Sequence, residues 1–371
     1  MNLQPKFAAV AAAMSACFVE RADTVEAVLL AAIAQEHIVL LGPPGTAKSA
    51  TIRALTSCVT GARLFDVLLT KFSTEDEVCG PAKLSALKQD RFERNVDGHL
   101  PGVEIAFLDE TFKANSAVLN ATLSITNERV YKGRACPLRF LAGASNEMPE
   151  DESLGAMFDR FLVRHVVDYV ASEAAWIDML YAALQFAPPV QITLDEWDQA
   201  TAQSRLVKVP RPVIEEMAKI KRSLANDGIV VSDRRWIKAL SILKAAAWLD
   251  GEFEVQKDHL WALRFVLWTK QDDRARVAAV LKTVDMGPAR ECQDLIDDAL
   301  RAFDARPTDP AKYFDAIPGL IAAITAAAKR VKTYDGKLSK RATAKVAQAM
   351  SALKQAHGQL KADLDKRYSM T

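Results

Sequence analysis

The sequence predicts an α/β fold, a parallel sheet flanked by helices, followed by an all-helical second half. Three observations predict it. The apolar run His37-Ile38-Val39-Leu40-Leu41 enters Gly42-Pro43-Pro44-Gly45-Thr46-Ala47-Lys48-Ser49 and continues as the helix-like Ala50-Thr51-Ile52-Arg53-Ala54-Leu55. A second strand-like run, Val103-Glu104-Ile105-Ala106-Phe107-Leu108, ends in the adjacent acids Asp109-Glu110. From about residue 171 onward the apolar residues recur at helical spacing.

The chain has 371 residues, half of them hydrophobic, which suits two or three domains with sizeable cores. A formal net charge of +1 argues against nucleic-acid binding through overall charge and leaves only local patches. Cys17, Cys58, Cys79, Cys136 and Cys292 are scattered, so neither a disulfide framework nor a zinc site is indicated, and a reducing, cytoplasmic setting is expected. The small apolar residues of Phe7 to Met14 are bounded by Lys6, Glu20, Arg21 and Asp23. They read as an amphipathic helix, not a signal peptide, and no apolar run is long enough for a membrane span.

Two helices come first, over residues 4–18 and 23–34, with Thr24 as a candidate cap for the second. The turn after Leu41 then carries a phosphate-binding argument. Successive loop N–H groups point at anionic oxygens, the helix start adds a favourable dipole, Lys48 brings a cation, and Ser49 is placed to hold Mg²⁺. A nucleoside triphosphate is the natural ligand. Ala47 stands where glycine usually precedes the lysine, so its methyl group has to be tolerated. An accidental Gly/Pro turn would not bring strand, loop and helix signals in this order.

Arg63 to Leu69 reads as a second buried strand, and the polar stretch from Lys71 to Leu100, with turn signals at Gly80-Pro81, Asp97-Gly98 and Pro101-Gly102, as a surface insertion. In a parallel nucleotide-binding sheet the ligand lies beyond the carboxyl ends of the strands. Asp109 would there reach the Mg²⁺ shell and Glu110 would face the γ-phosphate and polarise water. The competing reading is two acids that end a strand and cap the next helix. A helix is expected over residues 115–126 and a strand from Leu138 to Ala144 that delivers Ser145-Asn146 to the same edge. The Asn146 amide suits orienting water or touching the γ-phosphate, against a turn asparagine bonded to its own backbone. Phe158-Asp159-Arg160-Phe161 opens another strand-like run through Val163, Val166, Val167 and Tyr169.

Taken together, the phosphate loop with Ala before Lys, Thr111-Phe112-Lys113-Ala114-Asn115-Ser116, Asn127-Glu128-Arg129, Ala144-Ser145-Asn146-Glu147 and Phe158-Asp159-Arg160-Phe161 resemble the MoxR family of AAA+ ATPases. Arg63 to Pro81 and Leu84 to Pro101 are similar to its RavA-like branch, and the resemblance covers about residues 15–270. It implies a P-loop AAA+ core with ATP and Mg²⁺ as cofactors. Gly42, Pro43, Pro44, Gly45, Thr46, Ala47, Lys48, Ser49 and Ala50 would form the Walker A loop. Ser49 and Asp109 would be the metal ligands, Glu110 the catalytic base, Asn146 sensor 1, and Arg160 an arginine finger reaching the neighbouring subunit of a ring, a hexamer by analogy. For Arg160 the competing reading is an ion pair with Asp159 or another local acid.

After Pro188-Pro189, Pro212 suits the start of a helix through Leu224, Asn226-Asp227-Gly228 its stop, and Ser232-Asp233 the cap of a second through Leu249. A third element runs through Leu260, Phe265 and Leu267. Ser232-Asp233-Arg234-Arg235-Trp236 resembles the family's sensor 2, which implies a phosphate contact for Arg234 by register, with Arg235 a close competitor and a solvated basic helix start as the other reading. Beyond residue 275 only periodicity guides. Helices are expected around Leu295 to Phe303 and Ile317 to Val331, then a turn at Asp335-Gly336. A last helix has a heptad seam of Val346, Met350, Leu353, His357, Leu360 and Leu364. Lys329, Arg330, Lys332, Lys337, Lys340, Arg341, Lys345 and Lys354 flank it, a basic face that suits an acidic partner or nucleic acid or is simply solvated.

The expected domains are a nucleotide-binding core over 1–190 with its N-terminal helices, an all-helical lid over 205–275 and a C-terminal helical hairpin or bundle over 276–371. The resemblance implies an ATP-hydrolysing ring that remodels, activates or assists metal insertion into a partner protein, beside a partner bearing a von Willebrand factor A (VWA) domain. Two other function classes remain open: a nucleic-acid motor or loader, carried by the basic C-terminal helices, and a nucleotide-gated scaffold with little turnover.

Overall fold

A computed structural model describes residues 3–149, 152–171, 173–184, 190–283, 288–307, 310–334 and 340–369. Five strands form one wholly parallel sheet: β1 (His37–Leu41), β2 (Leu64–Leu68), β3 (Ile105–Asp109), β4 (Phe140–Ser145) and β5 (Phe161–Val166), in the spatial order β2-β3-β4-β1-β5. Every residue of β1 and β4 is buried, which is why these strands read as continuous apolar runs; a strand covered on both faces has no polar side to alternate. β2 is an edge strand, and there Leu68 is exposed and Asp66 pairs with Arg53.

The N-terminal helices are Gln4–Cys17 and Ala22–Ala34. Thr24 does not cap the second. Arg21 occupies the cap position, and Thr24 is buried with its hydroxyl 3.0 Å from His165 Nε2. Trp197 Nε1 donates to Ala32 O at 2.9 Å, and Lys6 pairs with Glu196, so the helix Leu194–Leu206 is fastened to both N-terminal helices. Phe158-Asp159-Arg160 also depart from the sequence expectation. They end the helix Glu152–Arg160, and strand conformation begins only at Phe161. The local apolar run could not separate a buried helix end from a strand start.

The helices Arg211–Asn226 and Asp233–Leu249 form as expected, the latter with Ser232 accepting the Arg235 N–H. The third element, Lys257–Phe265, is a 3₁₀ helix. One continuous hydrophobic cluster runs from Leu3 to Leu281 and unites the sheet with these helices. A second cluster lies within the C-terminal helices Pro288–Asp304, Pro310–Lys332 and Lys340–Ser369. All three helices contribute, so the seam of the last one closes a three-helix bundle rather than a hairpin alone. Pro188-Pro189, Asp335-Gly336 and Lys337 lie outside the described residues.

Candidate nucleotide site

The carboxyl ends of β1, β3 and β4 bring three predicted residues together. β1 delivers the loop Gly42 to Ala47 and the helix Lys48–Ser57, whose first turn no side chain caps, so its leading N–H groups remain for an anion. Three loop residues hold positive φ: Gly42 (139°), Gly45 (78°) and Ala47 (65°). A Cβ on Gly42 would stand 2.2 Å from Val167 O, so glycine is needed there for backbone clearance. Ala47 takes the left-handed conformation itself, at a cost of roughly 1–2 kcal/mol for a non-glycine residue. Thr46 is buried and donates to Pro43 O at 3.0 Å, which closes the turn.

Lys48 is buried to 8% exposure, and its ammonium donates to Gly42 O (2.6 Å), Pro43 O (2.9 Å) and Asn146 Oδ1 (3.2 Å). Burial lowers the Lys48 pKa, and the nearby Asp109 and Glu110 oppose that fall. Asn146 in turn donates from Nδ2 to Glu110 Oε1 at 2.6 Å. An ammonium can only donate and a carboxylate only accept, so the two neighbours fix which way the amide faces. Glu110 sits at φ 51°, its N–H bound by Asp109 Oδ1 at 2.9 Å. Its Oε2 is buried, 3.4 Å from Lys113 Nζ, and accepts no hydrogen bond. Lys48, Asn146 and Glu110 thus form one hydrogen-bonded chain across three strands.

Arg160 and Arg234 are not part of this group. Phe161 pairs with His37 at the amino end of β1, four residues before Leu41, which is about 13 Å at ~3.3 Å per residue. Arg160 therefore stands at the opposite end of the sheet from the loop. Arg235 donates to Phe161 O (2.9 Å), Leu162 O (3.2 Å) and Val266 O (3.4 Å), which puts its neighbour Arg234 at that same end. Arg235 is 5% exposed with its donors engaged by backbone, whereas Arg234 is exposed.

Sequence reasoning passed over two contributors. Tyr169 donates to Pro44 O at 3.1 Å, and Val167 O backs Gly42. Both follow β5, and only the pairing of β5 with β1 places them on the loop. A cavity of about 610 Å³ opens beside them, between the end of β5 and the lid, lined by Asp23, His165, Val166, Arg264, Trp268 and Arg274 among others. No cluster of three or more metal-ligating side chains occurs among the described residues. The uncapped helix start, the glycine-cleared loop and the buried carboxylate oxygen fit a magnesium triphosphate.

The sheet order, the glycine-rich loop, the acid-ended strand separated from it by the Asn146 strand, and the helices that follow define an AAA+ P-loop domain with an all-helical lid. The comparisons agree. Residues 5–200 match the MoxR domain in the MoxR-vWA-beta-propeller ternary systems, and residues 212–281 match an AAA lid domain. The first match spans more than half of the sequence, and the chain belongs to this MoxR family. Two uncharacterised proteins of Methanocaldococcus jannaschii are similar along most of their length. One is 38% identical over 296 residues, covering 77% of this chain and 79% of the relative. The other is 40% identical over 273 residues, covering 72% and 71%. A structural protein of Acidianus two-tailed virus is 28% identical over 172 residues, 44% of this chain and 28% of its own length. The crystal structure of a proposed ATPase from Cytophaga hutchinsonii shares the fold, with a TM-score of 0.60 at 15% identity, over 76% of this chain and 94% of that one. Among the described residues no helix is long and apolar enough to cross a membrane.

Proposed function

We propose that the chain is a magnesium-dependent ATPase that works as a ring, by analogy a hexamer, on a partner protein. The observation that carries the reading is the Lys48–Asn146–Glu110 chain of hydrogen bonds at the carboxyl ends of adjacent strands. Bound MgATP would supply the scissile phosphoanhydride and the metal that neutralises its charge. Lys48 and the loop N–H groups would hold the β- and γ-phosphates, and Ser49 and Asp109 would hold the metal shell. Glu110, released from Asn146 or oriented by it, takes a proton from the attacking water, while Asn146 keeps water and carboxylate in line. Arg160, at the far end of the sheet, serves the site of the next subunit, and Arg234 on the same side does likewise, so its expected contact with this chain's own phosphate gives way to one across the interface.

The work done with that energy is remodelling or activating a partner, or assisting metal insertion. A VWA-domain partner is favoured by the MoxR-vWA-beta-propeller systems for which the matched domain is named, and membership of the RavA-like branch is kept as the finer reading. The test is phosphate release from ATP with Mg²⁺ by the full chain, alone and with Glu110→Gln or Lys48→Ala. Turnover that needs Mg²⁺, with Glu110→Gln binding ATP but at least ~100-fold slower, supports the reading. Undiminished turnover in Glu110→Gln defeats the assigned base, and absent turnover with intact ATP-dependent assembly favours the scaffold.

A further inference from the structure

Arg160 lies between two carbonyls that are gripped from outside. Arg164, 1% exposed on β5, donates from Nη2 to Phe158 O (3.1 Å), from Nε to Phe161 O (3.3 Å) and from Nη1 to Trp268 O (2.7 Å). Its guanidinium also lies 3.8 Å from the centre of the Phe158 ring. Arg235, from the start of the lid helix, takes the second lone pair of Phe161 O together with Leu162 O and Val266 O. Asp159 Oδ1 is 3.9 Å from both guanidinium groups and is the anion they share. The backbone at Phe158 and Phe161, on either side of Arg160, is therefore tied to the lid directly by Arg235 and, through Arg164, to Trp268 O. The Arg160 side chain itself is uncommitted at Nε, which is buried with no acceptor.

The same segment is joined to this chain's own nucleotide site. Phe112, two residues after Glu110, packs edge-on against Phe158 (5.7 Å, 68°) and Phe161 (6.4 Å, 88°). Gly143, three residues before Asn146, leaves room for this contact: a Cβ there would stand 2.7 Å from the Phe161 ring and 2.8 Å from Thr111 Oγ1. Three rings, those of Phe112, Phe158 and Phe161, and two guanidinium groups thus meet at one helix end.

We propose that Arg235 is a positioning residue for Arg160: with Arg164 it clasps the backbone on both sides of Arg160, so that the seating of the lid sets where this chain's finger points in the neighbouring subunit's site. The inference rests on the reading of Arg160 as a finger acting across a subunit interface. From one planar group Arg235 bonds Phe161 O and Leu162 O, next to Arg160, and Val266 O of the lid, which couples the start of the strand to the lid in a way that a single contact does not. Burial pushes the Arg235 pKa down to about 10, so the group still carries its charge at neutral pH.

Mixed assemblies of full-length variants test this separately from the finger itself. Glu110→Gln subunits lack the base but keep the finger, and Arg160→Ala subunits have the reverse defect. Mixing them restores turnover above the sum of the two alone if Arg160 acts in trans; no restoration removes the reading on which the inference rests. Given restoration, Arg235→Met alone is expected to lose about 10- to 100-fold in kcat with KM for ATP within about twofold. It is also expected to be restored by Glu110→Gln subunits but not by Arg160→Ala subunits, since that second mixture contains no well-placed finger. Restoration of Arg235→Met by Arg160→Ala would mean that Arg235 serves its own site, and wild-type kcat in Arg235→Met would mean that it positions nothing; either overturns the proposal. Should Arg235→Met not fold, Asp159→Asn, which keeps shape and removes the shared anion at a half-exposed position, takes its place in the same mixtures with the same expected pattern.

Discussion

Asn146 Nδ2 donates to Glu110 Oε1 at 2.6 Å, while the other end of the same amide accepts from Lys48 at 3.2 Å. One neutral side chain therefore sets the distance between the Lys48 ammonium and the Glu110 carboxylate. Asn146→Ala is expected to reduce kcat about 100-fold while the ATP dissociation constant stays within a few-fold. Asn146→Asp is expected to be worse in both, because a second carboxylate against Glu110 favours protonation of one of the pair and repels the γ-phosphate. Single-turnover hydrolysis and a fluorescent-nucleotide titration separate the two effects, and full turnover in Asn146→Ala would contradict the role given to the amide.

The loop glycines differ in what they protect. Gly42→Ala meets the Val167 carbonyl at 2.2 Å, whereas Gly45→Ala meets nothing within 4 Å and suffers only its positive φ. Gly45→Ala is expected to cost about 1 kcal/mol in urea unfolding, and Gly42→Ala at least about 2 kcal/mol with loss of ATP binding. Equal effects would show that the β5 continuation does not back the loop.

Ala47 gives a test in the opposite direction. Glycine at this position removes the left-handed penalty but frees the unfolded chain, two effects of similar size, so Ala47→Gly is expected to leave stability within about 1 kcal/mol. Ala47→Val adds a β-branch to a positive φ, and a loss of at least about 2 kcal/mol with weakened ATP binding is expected. Melting curves with and without MgATP measure both.

Acid stability follows from two histidines. Burial lowers the pKa of His165 to about 4 and that of His37 well below the ordinary value. His37 Nδ1 accepts the Leu141 N–H at 3.1 Å, a bond that protonation would break. Between about pH 6.5 and pH 4 the unfolded chain therefore binds protons that the folded chain refuses, and stability falls as pH falls, by up to about 3 kcal/mol from His165 alone. His165→Gln, which retains a partner for Thr24, is expected to flatten the decline in melting temperature between pH 7 and pH 4.5; an unchanged slope would assign the effect to other groups.

Arg234 and Arg235 should separate cleanly in stability. Arg234→Ala removes an exposed side chain, and its melting temperature is expected to match the wild type. Arg235→Ala leaves Leu162 O and Val266 O without this donor and Phe161 O with Arg164 alone, for a loss of about 2–4 kcal/mol by thermal or urea unfolding.

The sequence by itself determined the strand, loop and helix around Lys48, the acid-ended strand, the strand carrying Asn146 and the lid helices with their Ser232 cap. Each of these is local: the residues that make the signal are the residues that form the element, and the period of burial is written in the apolar pattern. The tertiary structure decided what depends on which elements become neighbours. Thr24 turned from a cap into a partner of His165 once β5 lay against its helix. Phe158 to Arg160 became a helix end whose Phe158 O is taken by Arg164, and the carbonyl of Phe161, where the strand begins, is taken by Arg235 from 74 positions away. That the three expected C-terminal helices close as one bundle likewise follows from packing, since one apolar seam fits a hairpin and a bundle equally well. Strand register made the largest difference. Pairing Phe161 with His37 and Val166 with Leu41 sets the phosphate loop at one end of the sheet and Arg160 at the other. The span from His37 to Leu41, about 13 Å at ~3.3 Å per residue, keeps Arg160 away from the loop of its own chain, and no spacing in the sequence measures that distance.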